Sequence, residues 1–380
     1  MENIPFSKIS VVGNERRYLD EVLQSGHLSS DGAFCRRCEA WLSDNLSGAS
    51  VLMTNSGTAA LDLAAAAMGL EPGDEVIMPS FTFVSTANAV CRLGAIPKFV
   101  DVSPGTMNMD ADLVEAAITP RTRAIFPVHY AGIGCAPDRI TDIAARHELT
   151  VVEDAAQGLC ATFDGRPLGT FGAMAAFSFH EQKNVGCGEA GALVINDPAA
   201  LDRAHVIRDK GTNRRAFFQG LASFYSWVGV GASYGLSDLS AAFLLGQLEK
   251  ADEITATRRR IQAAYRERLA PLAAQELIEL QHIPVTAETN GHITFISLQS
   301  RGVRDALIAH LNGQGIKAVF HYIPLHSSPF GQTLGYSSDD LPVTEDRSAR
   351  LLRLPMYHEL SDADIDRISD AIHAFFGTRA

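Results

Sequence analysis

The stretch VLMTNSGTAALDLAAAAMGL, residues 51–70, decides the fold because it joins a short apolar run to an alanine-rich run through a polar turn. Val51–Met53 predicts a buried strand, and Ala59–Met68 predicts a helix that ends at Gly69. Further short apolar runs alternate with predicted helices as far as Asp154. This alternation indicates a mostly parallel sheet covered by helices on both faces, which is the α/β class.

The pattern of predicted elements changes after about residue 172. Helical character begins at Leu236 and continues to about Leu269, and the rest mixes strands with helices, including a strand over 316–320 and helices over 343–352 and 361–376. We therefore predict a large domain over residues 1–250. A smaller α+β C-terminal domain is predicted over residues 251–380.

Charge and composition narrow the class of protein. The net charge of −12 and a pI near 5.4 argue against a nucleic-acid binder, which usually carries a basic patch. No apolar run approaches the ~18 residues that a membrane span needs, and the N-terminus lacks a signal-peptide pattern. The pair Cys35 and Cys38 has no second CxxC or nearby Cys/His cluster, so we predict no metal site. We expect a cytoplasmic protein with neither a nucleic-acid nor a membrane partner.

Lys183 is the residue whose position most suggests chemistry. It lies in FSFHEQKN, residues 177–184, between an apolar strand and the glycine-rich loop 186–191. A desolvated lysine can lose its proton near neutral pH and form a Schiff base with a carbonyl. Asp154 ends an earlier buried strand, where a carboxylate suits a protonated pyridine nitrogen. The alternatives are a structural or exposed lysine and a helix-capping aspartate.

Other polar groups also follow predicted strand ends. The turn Ser56-Gly57-Thr58 precedes a helix, whose N-terminal N–H groups and dipole can hold a phosphate, although plain capping explains the same residues. Ser178 supplies a further hydroxyl for that phosphate. Because ligands of open α/β sheets bind at the carboxyl ends of the strands, this convergence predicts a site there.

Four segments occur in a specific order: NSGTAAL at 55–61, PSFTFVST at 79–86, VEDAAQ at 152–157 and FSFHEQKN at 177–184. Together they resemble the DegT-type sugar-nucleotide aminotransferases, pyridoxal 5′-phosphate enzymes of the aspartate-aminotransferase fold. The resemblance covers nearly the whole chain. It implies a mostly parallel, mixed seven-stranded sheet in the large domain and a homodimer with shared active sites.

The resemblance also implies a role for each matching residue. Lys183 would form the Schiff base with pyridoxal 5′-phosphate and move protons, Asp154 would hold the pyridine nitrogen, and Gln157 would hold the phenolic oxygen. Gly57, Thr58 and Ser178 would contact the phosphate. Phe83 would stack on the face of the ring.

One position departs from the family pattern. The family commonly places a phosphate-binding asparagine of the neighbouring subunit just before the Leu-Ser-Asp stretch, but Gly235 stands at that position here. We take Asn213 as the substitute.

Three further segments give a narrower resemblance, namely VHYAG at 128–132, DKGTNR at 209–214 and VFHYIPLH at 319–326. They resemble the members of the family that make dTDP-4-amino-4,6-dideoxygalactose. This implies L-glutamate and dTDP-4-dehydro-6-deoxy-D-glucose as substrates, with sugar-nucleotide contacts from His321, Tyr322 and His326. Ordinary strand-end and turn roles are the alternative for these three residues.

Other functions stay open from the sequence. The substrate could be another 3- or 4-keto sugar linked to dTDP, UDP or GDP, because the motifs specify the cofactor better than the sugar. A sugar dehydratase of this fold replaces the Schiff-base lysine by histidine, which Lys183 disfavours although His180 is close in sequence. A non-catalytic relative would need no Schiff-base lysine.

Overall fold

The computed structural model describes residues 3–377, so the outermost ends of the two predicted domains are not described. Thirteen strands lie in this range: β1 (Ser50–Thr54), β2 (Glu75–Pro79), β3 (Ile96–Val100), β4 (Thr122–Ile125), β5 (Thr150–Asp154), β6 (Thr162–Phe163), β7 (Arg166–Pro167), β8 (Met174–Ser178), β9 (Gly191–Ile195), β10 (Glu279–Leu280), β11 (Ala287–Glu288), β12 (Phe295–Ser297) and β13 (Leu351–Arg353).

The largest sheet has seven strands in the order β1-β9-β8-β5-β4-β2-β3. Strands β8, β5, β4, β2 and β3 run parallel, whereas β9 runs antiparallel to both of its neighbours. The antiparallel pair arises because β8 and β9 are joined by the loop 179–190 that carries Lys183, without a crossover helix. The predicted mixed, mostly parallel seven-stranded sheet is thus confirmed.

Helices cover the faces of this sheet, which explains why its inner strands are uniformly apolar. The described α-helices are α1 (Glu15–Ser25), α2 (Ala33–Asn45), α3 (Gly57–Met68), α4 (Val84–Cys91), α5 (Ala111–Val114), α6 (Pro137–Arg146), α7 (Leu201–Arg208), α8 (Arg214–Phe218), α9 (Asp238–Leu248), α10 (Ala251–Ala274), α11 (Arg301–Gly313), α12 (Pro329–Thr333), α13 (Pro342–Arg350) and α14 (Asp362–Phe375).

A separate apolar core forms in the C-terminal part, around the three-stranded sheet β10-β12-β13 and helices α10, α11 and α14. Ile4 also belongs to this core and bridges to Ile316, so the start of the chain lies with the C-terminal part. The division predicted at residues 250/251 falls in the break between α9 and α10. It stays a prediction.

Three predicted elements differ in the structure. The helix expected from Leu236 to Leu269 is divided into α9 and α10, because Lys250 between them leaves the helical conformation. The helix expected over 343–352 ends at Arg350, where the chain becomes β13. Residues 316–320 form only isolated bridges, since Ile316 pairs with Ile4 and Val319 with Arg353, and two different partners give no continuous ladder.

Among residues 3–377, no helix combines the length and apolar character needed to cross a membrane. The same range contains no group of three or more His, Cys, Asp and Glu side chains arranged to hold a metal ion. Cys35 and Cys38 are buried in α2, where their thiols donate to the carbonyls of Leu236 and Ala241.

Candidate active site

Asp154 lies at the carboxyl end of β5 and is buried. Its Oδ2 accepts a hydrogen bond from Thr86 Oγ1 at 2.7 Å, and its Oδ1 accepts one from the backbone N–H of Ala156 at 3.2 Å. Thr86 comes from the first turn of α4, which begins directly after the 79–83 loop. The carboxylate is therefore fixed in place and keeps lone pairs for a further donor.

Glu153 anchors the same strand from the opposite face, as the alternation of a strand requires. His129 Nε2 lies 2.7 Å from one carboxylate oxygen, and the backbone N–H groups of Gly169, Phe171 and Gly172 donate to the two oxygens. Burial raises the pKa of Glu153, but the hydrogen bonds from His129 and the backbone outweigh it, and the net shift is downward. The end of β5 is thus held by a buried, ionised carboxylate.

Gln157 is oriented by two neighbours. Its Oε1 accepts from the backbone N–H of Ala131 at 2.7 Å, which leaves Nε2 as the donor toward the hydroxyl of Tyr322 at 3.3 Å. Ala131 holds a left-handed backbone conformation, with φ of 59°, in a short turn after β4. The Gln157 amide therefore presents N–H groups, and not its carbonyl, to the space around Tyr322.

Lys183 lines a small cavity together with Gln157, Ser178, Asn290 and His292. Burial lowers the pKa of its ammonium to about 8; the Asp154 carboxylate opposes this shift, and the positive charge of Arg353 adds to it. An amine with this pKa can both lose and regain a proton near neutral pH. The lysine is thus neither fully exposed nor fixed in an ion pair.

The turn before α3 and the end of β8 meet in space. Ser56 caps the helix by accepting from Ala59 N at 3.0 Å, and the hydroxyl of Thr58 lies 2.6 Å from that of Ser85. A Cβ on Gly57 would lie 2.7 Å from Ser178 Cβ, so these two residues are in direct contact. The start of α3 therefore lies beside the hydroxyls of Thr58, Ser85 and Ser178, and a helix start with hydroxyls nearby suits a phosphate.

Aromatic side chains close the pocket above Gln157. Tyr130, Tyr322 and His321 pack together, and the hydroxyl of Tyr130 lies 3.0 Å from His321 Nδ1. Phe83 is 56% exposed at the start of α4, and its ring centroid lies 6.3 Å from that of Tyr322. Phe83 can therefore cover a flat ring bound over Asp154.

The imidazole of His326 has different surroundings from that of His321. It is fully buried, its Nδ1 lies 2.7 Å from the hydroxyl of Ser80, and its Nε2 lies 3.4 Å from Glu345 Oε1. Because Ser80 Oγ accepts from the backbone N–H of His326, its own proton points to Nδ1. His326 therefore ties the loop after β2 to the segment 319–326, and its Nε2 forms no hydrogen bond with the described residues.

Asn213 lies in a surface lobe, residues 209–233, which is anchored beside β1 at the edge of the sheet through Asn55 and Tyr234. Its side chain is bonded within the lobe, to the backbone of Phe224 and Ser226. The lobe exposes several large apolar side chains, among them Phe218, Leu221, Phe224, Trp227 and Val230. At Gly235, a Cβ would lie 2.7 Å from Ser30 Cβ, which explains why this position holds glycine in the present packing.

The structure also shows contributors that the motifs did not single out. Thr86 and Tyr130 stand inside the quoted segments 79–86 and 128–132, so their positions were marked although their roles were not. Asn290 donates to the backbone carbonyl of Gln157 at 2.8 Å, and Arg353 adds positive charge near Lys183. Neither of these two belongs to a recognisable motif.

Residues 10–373 match the DegT/DnrJ/EryC1/StrS aminotransferase family. GDP-perosamine synthase of Caulobacter vibrioides is 38% identical over 369 residues, which is 95% of each chain. S. venezuelae DesV, solved in complex with a ketimine intermediate, superimposes with a TM-score of 0.91 at 32% identity over 99% of both chains. NtdA from Bacillus subtilis, solved with bound PMP, gives a TM-score of 0.89 at 29% identity, covering 100% of this chain and 86% of NtdA.

These matches extend along nearly the entire chain and include its large sheet, the Lys183 loop and the C-terminal part. The seven-stranded α/β fold is the fold of the pyridoxal-phosphate aminotransferases. The protein therefore belongs to the DegT/DnrJ/EryC1/StrS aminotransferase family and, like that family, depends on pyridoxal 5′-phosphate.

Proposed function

We propose that this chain transfers the amino group of L-glutamate to C4 of dTDP-4-dehydro-6-deoxy-D-glucose and forms dTDP-4-amino-4,6-dideoxy-D-galactose, a precursor of surface polysaccharide. The observation that carries the proposal is the contact between Tyr130 and His321, at 3.0 Å, beside Lys183. It joins two of the three segments, 128–132 and 319–326, that resemble the dTDP-sugar enzymes. Their meeting in one pocket supports a shared role in binding the sugar nucleotide.

The residues around Lys183 fit pyridoxal 5′-phosphate. Asp154, held by Thr86, is suited to keep a pyridine nitrogen protonated, and the Nε2 group of Gln157 is suited to donate to the phenolic oxygen. Gly57, Thr58 and Ser178 are assigned to the phosphate, and Phe83 is assigned to the face of the ring. When bound, the cofactor supplies an electron sink for the carbon that loses its proton.

Lys183 is assigned the proton transfers. Its Nζ, with a pKa of about 8, removes the proton from the amino-bearing carbon of glutamate and returns a proton in the reverse sense at C4 of the sugar. Glutamate leaves as 2-oxoglutarate before the ketosugar reacts, so the two substrates use the same lysine in turn. Asp154 is assigned to hold the ring in position through its nitrogen.

Tyr322 and His321 are assigned to the sugar, because both border the space between Gln157 and Tyr130. His326 remains a candidate for the sugar nucleotide; Ser80 occupies its Nδ1, whereas its buried Nε2 has no hydrogen-bond partner among the described residues and lies 3.4 Å from Glu345 Oε1.

The site is proposed to be completed in a homodimer. The lobe 209–233 exposes a cluster of large apolar side chains, which is typical of an interaction surface. It also carries Asn213, which we propose binds the phosphate of the cofactor held by the partner subunit. Replacing Trp227, which is 76% exposed, by aspartate should shift the protein toward monomer in sedimentation velocity. Val285→Asp, at an isolated exposed residue, is the control; a dimer that persists in the Trp227 variant and resists dilution would argue against this surface.

The function is tested by incubating the holoenzyme with L-glutamate and a panel of 4-keto and 3-keto sugars linked to dTDP, UDP and GDP. We expect product from the dTDP 4-ketosugar, with NMR coupling constants that show the galacto configuration at C4. Absence of product from every dTDP 4-ketosugar would overturn the assignment.

A GDP-linked 4-keto-6-deoxy sugar is the second candidate. The observation that favours it is the 38% identity, over 95% of both chains, to a GDP-perosamine synthase. The same panel separates the two candidates, because the preferred substrate has the higher kcat/KM. A GDP sugar preferred over its dTDP counterpart would establish this second function.

A further inference from the structure

Glu153 is a buried carboxylate that takes no part in the chemistry assigned to Lys183 and Asp154. Its side chain is fully inaccessible and lies on the opposite face of β5 from that of Asp154. Both of its oxygens accept hydrogen bonds of 2.7 to 2.8 Å. The donors are His129 Nε2 and the backbone N–H groups of Gly169, Phe171 and Gly172. The carboxylate is therefore used entirely within the protein.

The imidazole of His129 is occupied in the same way. Its Nδ1 accepts from the backbone N–H of Cys135 at 3.1 Å, so this nitrogen carries no proton. The proton is on Nε2, which donates to Glu153 at 2.7 Å. Because both nitrogens are bonded and the ring is fully buried, His129 is a neutral link from Glu153 to the segment 127–135. We call Glu153 and His129 the buried pair.

Backbone hydrogen bonds lie beside this side-chain contact and extend it to Asp154. The N–H of His129 donates to the carbonyl of Asp154 at 3.1 Å, and the N–H of Asp154 donates to the carbonyl of Pro127 at 2.8 Å. A shift of His129 would therefore move the backbone of Asp154, and with it the carboxylate that faces the pocket.

Two further connections lead to other residues assigned to the cofactor. Ala131, in the turn after His129, donates its backbone N–H to Gln157 at 2.7 Å. The loop 169–172, which the carboxylate of the buried pair holds, leads into β8, and β8 ends at Ser178. The buried pair thus joins three segments that determine where cofactor-binding groups lie.

We propose that the buried pair positions Asp154, Gln157 and Ser178 relative to one another, an inference that rests on the cofactor roles proposed for these residues above. They are assigned to three different parts of pyridoxal 5′-phosphate, namely the pyridine nitrogen, the phenolic oxygen and the phosphate. Because the ring of the cofactor is rigid, the three contacts form together only if the segments are correctly spaced before it binds. The buried pair acts through these residues and touches neither cofactor nor substrate.

Two substitutions of His129 separate its two hydrogen bonds. In His129→Asn, the shorter amide can still accept from Cys135 but no longer reaches Glu153. In His129→Gln, the longer amide can still donate to Glu153. Titration of the apoprotein with pyridoxal 5′-phosphate, followed by absorption, should show a Kd raised on the order of 10-fold in His129→Asn and a Kd near that of wild type in His129→Gln.

Two controls distinguish positioning from a general loss of stability. His147→Asn breaks an exposed contact, 2.8 Å from His147 Nε2 to Glu115 Oε1, and should leave the Kd unchanged. Leu272→Ala, in the C-terminal core, should lower the free energy of unfolding of the apoprotein but also leave the Kd of the folded protein unchanged. If His129 were merely structural, His129→Asn would behave like Leu272→Ala.

A measurement on wild type decides the question if His129→Asn does not fold. In the apoprotein, the backbone N–H groups of residues 169–172 should exchange slowly with deuterium, because Glu153 already binds three of them. Addition of pyridoxal 5′-phosphate should not slow this exchange further, since the spacing of the segments is set before the cofactor arrives.

Either of two results would overturn the proposal: the same Kd in His129→Asn and His129→Gln, or N–H groups at 169–172 that become protected only when pyridoxal 5′-phosphate binds. A failure of the proposed sugar substrate is distinguishable, because neither measurement uses a sugar nucleotide.

Discussion

The two faces of the pocket around Lys183 differ in how their polar groups are satisfied. One face, which we call the cofactor face, consists of Thr58, Asp154, Gln157 and Ser178, the residues proposed to hold the cofactor. There, Asp154 already accepts a hydrogen bond from Thr86, and Gln157 already accepts one from the backbone N–H of Ala131. The other face, which we call the cationic face, consists of Arg258 and Arg353 beside the imidazoles of His292 and His321. There, the Arg353 side chain donates to no acceptor among the described residues. Groups fixed by the protein are prepared for a ligand that stays, whereas unpaired charge suits a ligand that enters and leaves.

The largest effect is expected where the two faces meet. Lys183→Ala should reduce turnover by about 10⁴-fold or more, because no other group replaces the amine as both nucleophile and proton carrier. The visible absorption of the bound cofactor should change at the same time. Lys250→Ala, at a half-exposed lysine paired with Glu253, is the control. Full activity in Lys183→Ala would refute the assignment of the active site.

The next effect tests the cofactor face. Asp154→Asn keeps the shape of the side chain but removes the charge, so kcat should fall on the order of 100-fold, the value of one charge-assisted hydrogen bond. Thr86→Val removes only the supporting donor at 2.7 Å and should cost less. The measurement is kcat with L-glutamate and a ketosugar. If Thr86→Val were the more damaging variant, the carboxylate would not be the group that acts on the cofactor.

The next prediction concerns the stability cost of the buried Lys183 ammonium. The folded-state pKa of Lys183, about 8, is below its usual value of 10.5, so below pH 8 the cofactor-free protein bears the cost of a buried ammonium. Lys183→Met should raise the free energy of unfolding by about 3 kcal/mol at pH 7. The gain should disappear as pH rises from 8 to 10.5. Denaturant unfolding of both apoproteins measures it, and a gain that does not depend on pH would point to packing instead.

The smallest expected effect concerns the cationic face. Burial, followed by the charges of Arg353 and Lys183, lowers the pKa of His321. Below pH 6.5, His321 is therefore protonated in the unfolded chain but not in the folded chain. The free energy of unfolding should decline as pH falls below 6.5. His321→Asn should flatten this decline in acid unfolding profiles, whereas His27→Asn, at an exposed histidine, should leave it unchanged. An identical decline in both variants would exclude His321 as its source.

The residues assigned to the cofactor face could be chosen from local patterns, because each lies at or shortly after a strand end within a quoted motif. Asp154 ends a run of apolar residues and Ser178 ends another, and neighbouring parallel strands bring both to the same edge of the sheet. The predicted fold class, the mixed sheet and the family, which depended on the same local patterns, were all confirmed. The antiparallel β9 follows from the loop that carries Lys183, which is too short for a crossover helix.

The cationic face could not be read from the sequence, because it depends on contacts between distant segments. Arg353 meets the pocket only through pairing with Phe295 and Val319, and nothing periodic marks it. His321 and His326 look equivalent in the segment 319–326. Only the structure shows that the imidazole of His326 is bonded to Ser80, while that of His321 is bonded to Tyr130.

The exposed lobe 209–233 has a consequence for the biogenesis of the protein. Side chains such as Phe218, Leu221 and Trp227 remain in water for as long as a newly made chain is alone. They are also the surface on which unrelated chains would stick, so self-association and aggregation compete for the same residues. If the proposed homodimer covers this surface, a faster rate of synthesis would raise the yield of usable protein, because more frequent encounters between identical chains would shorten the time during which the surface is exposed.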